Sequence, residues 1–180
     1  MRLHRAACIG VVVDFQERVV PRADGARDLV AGMERLVRGL QALGVPLVAV
    51  QHNTKGLGET IAQIRGLLEG CPRFEKTTFS SCGEAGFLEH LRQSGRTVVI
   101  VAGTESHVCV LQTVLDLLAA GFTVAVVEDA VGSRKPTDRR VALERMRQEG
   151  ARITTVESLL YELTERSGTD TFREILSIVK

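Results

Sequence analysis

Apolar residues along this chain fall into short unbroken runs, separated by stretches in which they recur every three or four positions. The runs cover residues 6–13, 45–50, 97–102, 123–127 and a shorter 152–155. A run without polar alternation reads as a strand buried on both faces, the pattern of a parallel sheet. Between the first two runs, Leu29, Met33, Leu36, Leu40 and Leu43 repeat at helical spacing, and Gly44 supplies a left-handed stop. Residues 86–94 read as a helix closed by Gly95. The segment after Cys109 reads as another, with Val110, Val114, Leu117 and Leu118 inward and a stop at Gly121. A further helix over 138–149 is entered through Pro136 and ended by Gly150.

This alternation predicts a single-domain, three-layer α/β/α fold over residues 1–180, with a central, mostly parallel sheet of about six strands and right-handed crossovers. Residues 53–86 are the least regular stretch, rich in glycine, and such loops beside a rigid sheet tend to carry binding residues. Toward the end, Leu159, Leu160 and Leu163, then Phe172, Ile175, Leu176 and Val179, suggest tail helices over 157–180 that dock on the body or make subunit contacts.

Charge narrows the function classes. With 23 Lys and Arg against 22 Asp and Glu, the formal net charge is +1, which argues against nucleic acid or an anionic membrane as partner. No apolar run approaches the roughly 20 residues of a membrane span. The four cysteines, Cys8, Cys71, Cys82 and Cys109, show no C-x-x-C or metal-ligand spacing, so reduced thiols and a cytoplasmic location are expected.

One segment carries more than structure. The run 97–102 leads through Gly103 and a polar turn to Cys109 at the start of a helix. At that carboxyl edge of the sheet, free N–H groups and the positive end of the helix dipole meet, and a thiol in such a field loses its proton more easily. Open α/β sheets place their ligand crevice at the same edge. Cys109 is therefore a candidate nucleophile, with a small core thiol as the plainer alternative. Asp14 ends the first run abruptly, where a carboxylate needs partners, and it shares an edge with Cys109 if their strands are neighbours. Lys76, between Phe74 and Phe79, would hold Asp14 ionised and favour the thiolate. Singly, Asp14 reads as a cap and Lys76 as a surface charge.

Together the three resemble a known set. The chain resembles the isochorismatase-like cysteine hydrolases, the superfamily of nicotinamidases and carbamoylsarcosine amidohydrolases. The matching motifs are Val12-Val13-Asp14-Phe15-Gln16, Lys76-Thr77-Thr78-Phe79-Ser80, Gly103-Thr104-Glu105-Ser106-His107-Val108-Cys109-Val110 and Asp129-Ala130-Val131-Gly132-Ser133-Arg134. Residues 138–147 are similar to the subgroup called isochorismatase domain-containing proteins. The resemblance implies hydrolysis of a C–N bond in a small amide-like substrate through a Cys109 acyl-enzyme, with Asp14 as general base and Lys76 as electrostatic support. It implies a cis peptide joining Thr104 to Glu105, aiming the Glu105 and Cys109 N–H groups at the developing oxyanion. Gln16, His52, Phe79 and Thr104 become candidate substrate-binding residues, and a homo-oligomer is implied. Where nicotinamidases carry an Asp-x-His metal signature, this chain has His52 and Thr54, so neither metal nor other cofactor is expected. Two other readings stand beside this one: a redox-active or oxidation-sensing thiol protein using Cys109 and Cys82, and a non-catalytic partner-binding protein on a hydrolase scaffold.

Overall fold

The computed structural model describes residues 2–180. Six strands are formed: β1 (Cys8–Val13), β2 (Leu47–His52), β3 (Arg73–Lys76), β4 (Val98–Thr104), β5 (Thr123–Gly132) and β6 (Arg152–Thr154). They make one sheet in the order β3-β2-β1-β4-β5-β6, with every neighbouring pair parallel. The helices are α1 (Ala26–Ala42), α2 (Thr54–Leu57), α3 (Ala62–Leu67), α4 (Phe87–Gln93), α5 (Leu111–Ala119), α6 (Pro136–Gln148), α7 (Val156–Thr164) and α8 (Asp170–Val179).

The period-two geometry of a strand explains why unbroken apolar runs are needed. In β1, Cys8 and Val12 face one layer, with Met33, Leu36 and Leu40 of α1, Ile64 of α3, Leu160 of α7 and Ile175 of α8. Ile9, Val11 and Val13 face the other, with Phe87 and Leu91 of α4, Val114 and Leu117 of α5, and Met146 of α6. The three-layer α/β/α arrangement follows. The tail helices dock on the body: Ile175 is fully buried, and the Tyr161 and Phe172 rings lie 6.2 Å apart.

Two strands depart from the sequence reading, and α2 and α3 also form inside the stretch expected to be loop. β3 lies inside the stretch expected to be loop. As an edge strand it exposes Arg73 and Glu75 and buries only Lys76, so it carries no apolar run. β5 continues five residues past its expected end at 127, through Glu128 and Asp129. A bulge permits this: Val101 pairs with Val126, but Gly103 pairs with Val131. Asp129 then receives the Val156 N–H at 2.8 Å at the start of α7.

The order of strands reverses between β1 and β4, whose registers run in step from Cys8–Val98 to Val13–Gly103. Their carboxyl ends are thus the topological switch point, where doubly wound folds bind ligands. The fit is close there. Gly103 has φ +147°, and a Cβ on it would lie 2.1 Å from the Val13 carbonyl oxygen.

Candidate active site

Three strands deliver three side chains to that switch point. Asp14 follows β1 directly, in a left-handed conformation (φ 50°), with its N–H donating to Val50 O at 2.9 Å. Lys76 is the last residue of β3 and pairs in register with His52. Cys109 lies in a wide π-helical turn, Ser106–Val110, that joins β4 to α5. Single wide turns of this kind are frequent at functional sites.

Lys76 is 1% exposed and Asp14 2% exposed, and the Lys76 Nζ donates to Asp14 Oδ2 at 2.8 Å. It also donates to the carbonyl oxygens of Thr78 (3.2 Å) and Phe79 (3.0 Å). An ammonium has three hydrogens, and three acceptors take them. A buried ion pair of this quality tolerates desolvation because its remaining donors are satisfied. The exception is on the carboxylate: Asp14 Oδ1 is buried and has no hydrogen-bond partner among the described residues. That oxygen is an available acceptor within the charge field of the Cys109 thiol.

The thiol itself is not poised as the sequence suggested. Burial, then the negative charge of Asp14, push Cys109 up from 9.0 to about 12, with Lys76 only partly opposing them. Desolvation outweighs the helix start, so burial favours the protonated form of the Cys109 thiol.

The turn carrying Cys109 differs from the implied one. All peptide bonds among the described residues are trans, including Thr104–Glu105. Glu105 makes the reversal by its left-handed conformation (φ 54°, ψ 57°). Its carboxylate takes two bonds from Arg134, at 3.2 and 3.3 Å. Beside it, His107 Nδ1 lies 3.0 Å from Ser133 Oγ, and the Ser106 and Ser133 hydroxyls share a short hydrogen bond. Arg134, Ser133, His107 and Ser106 therefore brace the Cys109 turn against the β5–α6 connection. Sequence reasoning gave them no role, although they all follow buried strands as polar runs.

Of the four expected substrate-binding residues, two serve the framework. Gln16 is fully buried, its amide donating to His52 O (3.0 Å) and Gly58 O (2.6 Å) and accepting from His52 N–H (2.8 Å). Thr104 is 1% exposed and donates its hydroxyl hydrogen to Asp14 O. Neither offers a group to a ligand, because burial and internal bonds occupy both. His52 and Phe79 remain at the site's rim. Their rings stack at 5.8 Å, and Phe79 is 53% exposed rather than a core aromatic.

The other thiols are differently placed. Cys8 opens β1, at the sheet edge opposite Asp14, and burial pushes it up to about 11. Cys82 packs in the same apolar layer as Cys109 and is pushed up to about 11, again by burial. Such a thiol is a poor resolving partner for redox cycling. Among the described residues, no group of three or more His, Cys, Asp or Glu is gathered as a metal-ligand set, and no helix is long and apolar enough to cross a membrane.

Fold and site together define a doubly wound α/β cysteine hydrolase. The isochorismatase domain family matches residues 8–158, and the chain belongs to that family. It is 36% identical over 174 residues to isochorismatase family protein 1B of Dictyostelium discoideum, covering 94% of this chain and 84% of that one. Among solved structures, MAR1 ribonuclease from Caenorhabditis elegans matches with a TM-score of 0.93 and 34% identity, over 99% of this chain and 92% of that one. The YcaC gene product of Escherichia coli, an octameric hydrolase of unknown specificity, shares the fold with a TM-score of 0.93 at 21% identity, over 99% and 90%.

Proposed function

We propose that this hydrolase cleaves the C–N bond of a small amide-like substrate without a metal, Cys109 being the nucleophile, Asp14 the general base and Lys76 its electrostatic support. The observation that carries the reading is the unpartnered, buried Oδ1 of Asp14, whose other oxygen is fixed by Lys76 at 2.8 Å. In the first step Sγ attacks the carbonyl carbon while the thiol proton passes to Asp14. The tetrahedral oxyanion needs N–H donors from the turn that carries Cys109. Collapse breaks the C–N bond, Asp14 returns the proton to the leaving amine, and a thioester remains. Water then attacks that thioester, losing a proton to Asp14, and the carboxylic acid leaves as the thiol is restored. His52 and Phe79 would line the approach.

Residues 1–180 are read as one hydrolase domain, working in the cytoplasm with its four thiols reduced and assembled as a homo-oligomer through the tail helices. The nematode relative's ribonuclease activity suggests a second substrate class. Against it stands a net charge of +1 with no basic excess to hold a polyanion. The test is a screen of small amides, esters and a short RNA, with acyl-enzyme trapped and weighed by mass spectrometry. A covalent adduct on Cys109 from an amide, absent in Cys109→Ala, supports the reading; RNA cleavage that survives Cys109→Ala overturns it.

A further inference from the structure

Beside the Cys109 turn, Arg18, Val19, Arg22, Leu57, Glu105 and Arg134 line a cavity of about 190 Å³. They come from the connections that follow β1, β2, β4 and β5, the four central strands, so the cavity stands over the switch point. Three guanidinium groups meet one carboxylate there. Glu105 is already matched by Arg134, at 3.2 and 3.3 Å. Arg18 donates once, to Gly56 O at 2.7 Å. The Arg22 side chain makes no hydrogen bond or ion pair among the described residues. Two exposed guanidinium groups with free fork donors therefore border an open space walled by Val19 and Leu57. Guanidinium forks match planar carboxylates in two-point geometry, which an ammonium does not. Glu105 joins the two places: its backbone turns the chain toward Cys109, and its side chain forms the cavity wall.

We infer that this cavity is an anion subsite that holds a carboxylate of the substrate, so that the enzyme takes amides bearing a free acid in preference to neutral ones, Arg22 and Arg18 being the residues that select them. The inference rests on the hydrolase reading for its reaction but on the cavity for its binding, and the two are tested separately.

The full chain as Cys109→Ala is titrated by calorimetry with malonamate, succinamate and glutaramate, each against its neutral diamide, and with inorganic phosphate. At one chain length the acid is expected to bind at least tenfold more tightly than its diamide and than phosphate. Arg22→Ala and Arg18→Ala should each cut that preference about tenfold, and added salt should weaken it. Equal binding of acid and diamide, a preference that survives the double Arg18→Ala/Arg22→Ala variant, or phosphate binding as tight as the acids overturns the assignment. The wild-type chain is then assayed for ammonia release from the same series. A preferred acid that binds through Arg22 yet is never hydrolysed leaves the anion subsite standing and removes the amidase reading.

Discussion

Lys76 reaches over β2 from the edge of the sheet to Asp14 at the end of β1, closing a 2.8 Å ion pair with 0% and 3% of the two side chains exposed. The pair spans two strand spacings, roughly 9–10 Å at the backbone. Breaking such a pair leaves a buried charge alone. Lys76→Ala is expected to lower stability by about 3–5 kcal/mol in urea unfolding. The double variant Asp14→Asn/Lys76→Met, which removes both charges, should cost clearly less than the sum of its single changes. Additive losses would show that the two groups are not coupled.

The same geometry predicts opposite effects of one substitution. Asp14 raises the Cys109 thiol by its charge, so Asp14→Asn should lower the pH at which iodoacetamide labels Cys109. Hydrolysis should fall by about 10²–10⁴-fold, the usual weight of a general base. In the wild type, labelling should climb without a plateau below pH 9. A plateau near neutral pH would mean a preformed thiolate and a different first step.

Stability should decline in alkali. Burial is the main cause that raises Cys8 and Cys82 to about 11 and Cys109 to about 12, from 9.0. A folded value above the unfolded one favours the native state fully below pH 9, and that contribution is lost as pH rises through 11 to 12. Melting temperatures between pH 8 and 11 should fall, and Cys109→Ala should flatten the slope. An unchanged slope in that variant would contradict the burial of this thiol.

Gly103 sets how closely β4 meets β1. With a Cβ only 2.1 Å from Val13 O, Gly103→Ala forces the strand ends apart, at a cost of about 3 kcal/mol. Because Asp14 follows Val13, turnover should fall even where the variant still folds. A variant with wild-type stability and kcat/KM would remove this constraint from the site.

Much of this was legible because burial on both faces of a parallel sheet leaves a plain mark. The runs at 6–13 and 97–102 located β1 and β4, and their ends located Asp14 and the Cys109 turn. β3 left no such mark, because an edge strand of Arg-Phe-Glu-Lys can satisfy solvent on most of its length. The internal bonds of Gln16 and Thr104 were out of reach for a related reason. A motif shows that a polar residue stands beside the site, but only contacts show whether its polar atoms point to a ligand or, as here, back to the chain. The state of the thiol was also out of reach, since desolvation depends on what covers Cys109.

The placement of Lys76 has a consequence for how the protein fails. β3 has four residues, is paired on one side only, and exposes Arg73 and Glu75 to water. Edge segments of this kind open locally at free energies well below that of global unfolding. When β3 frays, the ammonium leaves Asp14 while β1, β4 and β5 remain folded around their own core. Mild denaturant or heat should therefore silence the enzyme before circular dichroism registers any loss of helix, and a calorimetric melting point would overstate the range over which the catalytic centre is assembled.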